Sequence, residues 1–381
     1  MQIPFHKAYI TDDEINEVVD SIRAGWLTMG PKTIAFEKRF RDYIYKDSEV
    51  PEDRRFAVSL NSATAALHLA LKATGLQPGD EVILPTNTFI ATAEVVTYFN
   101  ALPVLCDIEE ATGNMDVSKI ENLITAKTRA VVPVHFGGQP CDMDEIMGMA
   151  KNHNLKVIED AAHALPSRYK NTMIGAVGDI TVFSFYATKT LCTGEGGMAT
   201  TTNQEYAEKM KINRLHGISS DSWKRYTANG SWYYEVVDNG NKYNTTDINA
   251  ALGVAQLRKL DWMRERRAWI AERYNRAFRT KKCIILPVVK SDRETSWHLY
   301  VIKVNNRDEL IEKLKAEGIG TSVHFIPVHK HPYYKTTYRY LDEAFPVANR
   351  VYEQSLSLPI YPGMTVEEID FVIENVLEHA R

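Results

Sequence analysis

The chain has 381 residues, 45 of them Lys or Arg and 49 Asp or Glu, for a formal net charge of −4. That balance provides no general attraction to a phosphate backbone or an anionic membrane, so neither nucleic acid nor lipid is an expected partner. With 44% hydrophobic and 25% charged residues, the composition excludes a disordered or collagen-like chain and leaves an enzyme-sized protein with a large core.

Met1–Tyr9 has neither the apolar stretch nor the small-residue cleavage pattern of a signal peptide. No run approaches the roughly 20 apolar residues needed to span a bilayer, so the expected location is cytoplasmic. Cys106, Cys141, Cys192 and Cys283 are too far apart for a CxxC clip. They fit a reduced compartment and argue against a structural metal.

Thr11-Asp12-Asp13-Glu14 is a capping box, and Ile15, Val18, Val19 and Ile22 follow at helical spacing, which predicts a helix with that face turned inward. From about residue 56 to 202, short β-rich runs alternate with Ala-rich or amphipathic ones, the rhythm of an α/β unit with a largely parallel sheet. Strands are expected at Phe56–Leu60, Glu81–Leu84, Pro103–Asp107, Ala130–His135, Lys156–Asp160, Ile180–Phe185 and Gly197–Thr201. Thr64–Thr74 favours helix and Gly75 ends it. Asn249–Phe278 reads as one long helix, with Ala250, Val254, Leu257, Leu260 and Met263 on one side, and the domain boundary is placed along it. Beyond lie a strand-like Thr295–Val304, a helix-like Asp308–Glu317, a Pro-rich stretch around His324–Tyr334, and a last helix capped by Thr365 and Glu368.

The sequence contains no GxxxxGK[ST], no GxGxxG after a strand and no HExxH. Three segments at expected strand ends remain, on the edge where open α/β sheets bind ligands. In Asn61-Ser62-Ala63-Thr64 a strand passes through small residues into a helix whose free amides suit a phosphate, although an ordinary N-capped helix reads the same way. Val157 to His163 runs into Glu159 and Asp160, and strand alternation puts Asp160 rather than Glu159 on the ligand side, unless it only caps the next turn. Phe183 to Gly197 carries Lys189 between an aromatic strand and a Gly-Glu-Gly-Gly turn; such burial lowers an amine's pKa and suits it to a Schiff base. A phosphate cup, an acid for a pyridine nitrogen and a lysine for an aldehyde are the requirements of pyridoxal 5′-phosphate, and the combination is more specific than any part.

With these motifs stand Gly25-Trp26-Leu27-Thr28-Met29-Gly30-Pro31, Pro85-Thr86-Asn87-Thr88-Phe89, Lys242-Tyr243-Asn244-Thr245-Thr246-Asp247, Val323-His324-Phe325-Ile326-Pro327 and Ser357-Leu358-Pro359. Over nearly its whole length the chain resembles the DegT/StrS family of sugar aminotransferases. These are fold-type I pyridoxal phosphate enzymes that aminate nucleotide-linked keto sugars. The resemblance implies a large cofactor-binding domain over residues 12–255 with a mixed, mostly parallel sheet. A smaller C-terminal α/β domain would cover 256–381, with 1–11 packing on it. By position it implies Lys189 as the imine lysine, Asp160 as the pyridine partner, and Ala63, Thr64 and Ser184 as phosphate contacts. Phe89 would stack on the ring unless it is core, and His163 would sit near the ring's 3′ oxygen unless it is a satisfied loop histidine.

Asn244 would reach the phosphate of a neighbouring subunit, making a homodimer with shared sites. Relatives often carry Gly at Ala63, Asn at Lys242 and Arg at Asn244, which leaves open whether Lys242 or Asn244 touches phosphate. Lysine at 189 separates the chain from the dehydratase branch, where histidine stands there. His163 with Lys242-Tyr243-Asn244 resembles the branch that aminates C4 of UDP-linked 4-keto sugars with L-glutamate as donor, through a pyridoxamine phosphate form. C3 amination, a dTDP- or GDP-linked sugar, or a non-catalytic binding protein on this fold are the alternatives. Trp26, Tyr186, Arg214, Lys242, His324 and His329 are candidates for substrate contact, and Trp232, Tyr233 and Tyr234 for a lip.

Overall fold

The computed structural model of the chain describes residues 1–219 and 233–381. Its first strands in chain order are β1 (Phe56–Leu60), β2 (Glu81–Pro85), β3 (Leu102–Cys106), β4 (Thr128–Val131), β5 (Lys156–Asp160), β6 (Arg168–Tyr169), β7 (Thr172–Met173), β8 (Ile180–Ser184) and β9 (Gly197–Thr201). Seven form one sheet in the order β1-β9-β8-β5-β4-β2-β3. β3, β2, β4, β5 and β8 are parallel neighbours, while β9 is antiparallel to both β8 and β1. Every strand of the sheet but β9 therefore ends on one edge. β9 starts on that edge, with Gly197 opposite Leu60 and Ser184.

Side chains alternate across each strand, and both faces of the sheet are buried. Ile83, Val131, Val157, Phe183 and Met198 join one core; Val82, Leu84, Ile158, Val182 and Ala199 join the other. Nearly continuous apolar runs result, which is why the strands could be read from the sequence. The remaining strands are β10 (Arg293–Glu294), β11 (Tyr300–Lys303) and β12 (Ser355–Leu358). β10 pairs with β6, and β11 pairs with β12 under helices Arg307–Ala316 and Val366–His379, around a third core with Ile302, Leu314, Leu356 and Val372. The fold is thus the expected α/β class, a large mixed and mostly parallel sheet with a smaller C-terminal α/β unit. The amino-terminal strap joins that smaller unit: Ile3 N donates to Gly318 O at 2.9 Å and Gly320 N to Ile3 O at 2.8 Å. No helix among the described residues is long and apolar enough to cross a membrane.

Four elements differ from expectation, the first being the run Ala130–His135, of which only Ala130 and Val131 lie in a strand, β4. Helix Asp12–Arg23 is present with its capping box, but it turns Glu14 and Ser21 inward and leaves Ile15 and Ile22 53% and 54% exposed. Polar contacts set that rotation, because Glu14 is fully buried against Lys259 and Gln256. The long helix is two, Asp247–Arg258 and Leu260–Phe278, broken at Lys259 (φ −115°, ψ 11°). No Gly or Pro marks the break; Lys259 there donates to Thr11 and Glu14. The run Thr295–Val304 pairs as a strand only over Tyr300–Lys303, and Trp297 has a left-handed φ of 51°.

Candidate active site

A cavity of about 520 Å³ opens at the edge where the strands end. β1 delivers Ser62, Ala63 and Thr64 to it. Ser62 caps helix Ala63–Ala73, its Oγ accepting from Ala65 N at 3.1 Å. The amides of Ala63 and Thr64, in the first turn, have no intrahelical acceptor and are available to an anion. Gly197 closes against this turn: a Cβ there would lie 2.4 Å from Ser62 O and 2.7 Å from Ala63 N. Ser184, the last residue of β8, lines the same end, with Oγ accepting from Tyr186 N at 3.3 Å.

β5 ends in Asp160, which is buried. Its Oδ2 accepts from Thr92 Oγ1 at 2.8 Å and its Oδ1 from Ala162 N at 3.1 Å. Burial raises its carboxyl above the ordinary range, against the pull of those donors and of Lys189. Glu159 points to the opposite face, where it accepts from Thr181 and Gly178 and meets His135 Nε2 at 2.9 Å. The turn after β8 carries Lys189 into the cavity, its amide donating to Tyr186 O at 2.9 Å. Burial lowers its amine to about 8, with Asp160 opposing the shift. Among the described residues no acceptor or carboxylate pairs with Nζ.

Aromatic and imidazole rings make the walls. Phe89 lines the rim and is 59% exposed, so it is not a core residue. His163 Nδ1 accepts from Gly137 N at 3.3 Å, which leaves the proton of the neutral ring on Nε2. That ring stacks on Phe325 at 5.7 Å and lies 4.4 Å from His298. His324 bonds Ser357 Oγ through Nδ1 at 2.8 Å and stacks on Phe5. Burial is the main cause that holds His163, His298 and His324 in the neutral form, His324 at about 4. Tyr186 also faces the cavity.

Of the sequence candidates, Ala63, Thr64, Phe89, Asp160, His163, Ser184, Tyr186, Lys189 and His324 share this cavity. Trp26, Arg214, Lys242, Asn244 and His329 do not line it. Arg214 is buried, with its guanidinium on Glu37 and on Ser59 O at 2.9 Å, so its charge is spent inside the fold. His329 is fully buried between Thr86 Oγ1 at 2.7 Å and Asn349 Oδ1 at 3.0 Å. Trp26 packs beside Gly30. Lys242 is exposed, and Asn244 is half-buried and donates to Thr245 O at 3.0 Å. Tyr233 and Tyr234 are exposed, while Trp232 lies outside the described residues.

Four cavity or cavity-backing residues escape a reading of motifs. Thr88 stood inside the Pro85–Phe89 motif without a role of its own, and Thr92, His298 and Phe5 carry no local signal. The donor set fits a phosphorylated pyridine aldehyde: free amides at one end, a carboxylate at the other, and between the walls a half-buried amine without a partner among the described residues.

A sequence model of the DegT/DnrJ/EryC1/StrS aminotransferase family matches residues 8–377. The chain is 50% identical over 381 residues to the spore coat polysaccharide biosynthesis protein SpsC of Bacillus subtilis, covering 98% of this chain and 96% of that one. Among solved structures, the putative sugar aminotransferase Spr1654 from Streptococcus pneumoniae in its PMP-form has a TM-score of 0.90 at 35% identity, over 99% of this chain and 98% of that one. Its PLP-form has a TM-score of 0.89 at 34% identity over the same shares. DesV of S. venezuelae, in complex with a ketimine intermediate, has a TM-score of 0.87 at 33% identity, over 96% of this chain and 94% of that one.

Proposed function

Because the chain belongs to the DegT/DnrJ/EryC1/StrS aminotransferase family, we propose that it moves an amino group from L-glutamate to C4 of a UDP-linked 4-keto sugar, as a cytoplasmic homodimer. The chain is an aminotransferase, and its cofactor is pyridoxal 5′-phosphate, with pyridoxamine phosphate as the amino-carrying form. The observation that carries the reading is the unpaired Lys189 amine, lowered to about 8 by burial, in one cavity with a buried Asp160.

When bound, the cofactor supplies an aldehyde carbon to carry nitrogen and a ring that withdraws electrons. Ala63 and Thr64 would offer amides and Ser184 a hydroxyl to its phosphate, and Phe89 would pack against its ring. Asp160 would set its carboxylate against the ring nitrogen, and His163 would donate from Nε2. Lys189, its amine lowered by burial from 10.5 to about 8 and so more readily deprotonated than a surface lysine, takes and returns a proton at Nζ. The neutral rings of Phe325, His298 and His324 exclude water without adding fixed charge, which suits a cavity that must admit a sugar as well as an amino acid.

A sugar acceptor is supported by the names of SpsC, a polysaccharide biosynthesis protein, and Spr1654, a putative sugar aminotransferase. His163 with Lys242-Tyr243-Asn244 supports C4. A second subunit is supported by Asn244, which stands outside its own chain's cavity. Nearby, Leu27 is 52% exposed, next to the bond from Asp247 N to Thr28 O.

The test is incubation of the purified protein with L-glutamate and a panel of UDP-, dTDP- and GDP-linked 3-keto and 4-keto sugars, read by mass spectrometry and product NMR. The expected product is a UDP-linked 4-amino sugar, formed by wild type and not by Lys189→Ala. Amination at C3, a mass change equal to dehydration, or turnover by Lys189→Ala would each overturn the corresponding part of the reading.

A further inference from the structure

Two hydroxyls stand behind Asp160 that the reading above does not use. Thr92 Oγ1 donates to Asp160 Oδ2 at 2.8 Å, and Thr88 Oγ1 lies 2.7 Å from Thr92 Oγ1. All three side chains are buried; Thr88 and Asp160 line the cavity, and Thr92 lies behind its wall. Thr92 lies in the first turn of helix Ala91–Thr97, and Thr88 belongs to the bend that leads into that helix.

The direction of this chain of hydrogen bonds is set by charge. An ionised carboxylate only accepts, and a hydroxyl has one hydrogen to give. While Asp160 is ionised, Thr92 must donate to it, Thr92 oxygen must accept from Thr88, and Thr88 turns a lone pair toward the cavity. If Asp160 took a proton, both hydroxyls could reverse. Each bond in such a series polarises the next.

We propose that Thr92, itself oriented by Thr88, is a positioning residue that keeps the Asp160 carboxylate ionised and in one orientation toward the cofactor's ring nitrogen. The proposal rests on the assignment of Asp160 as the partner of that nitrogen. Burial pushes this carboxyl up, and the Thr92 hydroxyl is foremost among the groups that pull it back, ahead of the Ala162 amide. Without the hydroxyl, burial of the carboxyl favours the neutral acid, which gives a protonated ring no counter-charge.

The experiment compares Thr92→Val, which keeps the shape and removes the hydroxyl, with Thr92→Ser, which keeps the hydroxyl. The first readout is the ¹⁵N chemical shift of the ring nitrogen in holoenzyme loaded with ¹⁵N-pyridoxal phosphate. The second is pyridoxamine phosphate affinity of the apoenzyme by calorimetry, and the third is the glutamate half-reaction. In T92V the ring nitrogen should move toward its unprotonated shift. Affinity and the half-reaction's limiting rate should each fall about tenfold, the effect of one hydrogen bond to a charged group, with half-saturation by glutamate unchanged. T92S should stay near wild type, and T88V should shift the same readouts in the same direction by less.

A protonated ring with wild-type affinity in T92V would overturn the proposal, as would T92S impaired as much as T92V. If T92V does not fold, T88V decides: wild-type values in all three readouts overturn the relay. Asp160→Asn separates the two levels. An unchanged nitrogen signal in D160N removes the assignment of Asp160 itself, whereas a shift in D160N without one in T92V removes only the role of Thr92.

Discussion

Lys189 owes its chemistry to dehydration. Removed from bulk water, its ammonium form is penalised and the amine titrates near 8 instead of the ordinary 10.5. The neutral amine is the nucleophile, so covalent capture of added pyridoxal phosphate by apoenzyme should accelerate as pH rises through about 8 and level off above it. Stopped-flow absorbance from pH 6 to 10 checks this with a range of about four units around that value; a midpoint at the ordinary lysine value would place the amine in water. Gly197 offers a second check, since a methyl group there meets the backbone of Ser62 and Ala63 rather than a flexible side chain. Gly197→Ala should displace the phosphate-facing turn and weaken pyridoxamine phosphate binding by about tenfold or more, roughly 1.4 kcal/mol, with far-UV circular dichroism unchanged. Arg214 and His329 teach the converse lesson. Both residue types read as ligand holders, yet each is consumed by partners inside the fold, and only the packing reveals this.

The break between helices Asp247–Arg258 and Leu260–Phe278 couples three elements through one polar knot. Lys259 Nζ contacts Glu14 and Thr11, and Gln256 donates to Glu14 and to Tyr9 O. Burial raises the Glu14 carboxyl, but Lys259, Thr11 and Gln256 outweigh it and leave it below the usual range. Its contribution is therefore present above the unfolded carboxylate value and is lost as pH falls through the lower folded value. Lys259→Met should leave Glu14 as an uncompensated buried charge and cost about 3 to 5 kcal/mol in urea unfolding, whereas adding Glu14→Gln should recover part of that loss. The rotation of helix Asp12–Arg23 has the same origin: Ile15 and Ile22 have helical spacing, but the carboxylate's partners dictate that Glu14 turns inward.

In the molecule as a whole, the sheet gathers the ends of β1, β5 and β8 and the start of β9, while the amino-terminal strap and the smaller unit bring Phe5, His298, His324 and Phe325 from remote parts of the chain. A complete site on our reading also takes Asn244 from a second copy. Subunit exchange tests this: Lys189→Ala and Asn244→Ala homodimers, each impaired alone, should recover about a quarter of wild-type activity when mixed and allowed to exchange, because half the dimers are mixed and each has one intact site. No recovery, with exchange shown by native mass spectrometry, would place Asn244 on its own subunit's cofactor.

The amino-acid order alone was enough for the α/β class, the seven strands of the main sheet, the cofactor and the shared edge of Lys189 and Asp160, because runs buried on both faces and strand-end motifs are local patterns. Closure of the cavity by Phe5 and His298, the hydroxyls behind Asp160, the rotation of the first helix and the break at Lys259 were decided only in three dimensions. Each depends on which distant polar group or ring arrives to satisfy a buried partner, and no local periodicity encodes that arrival.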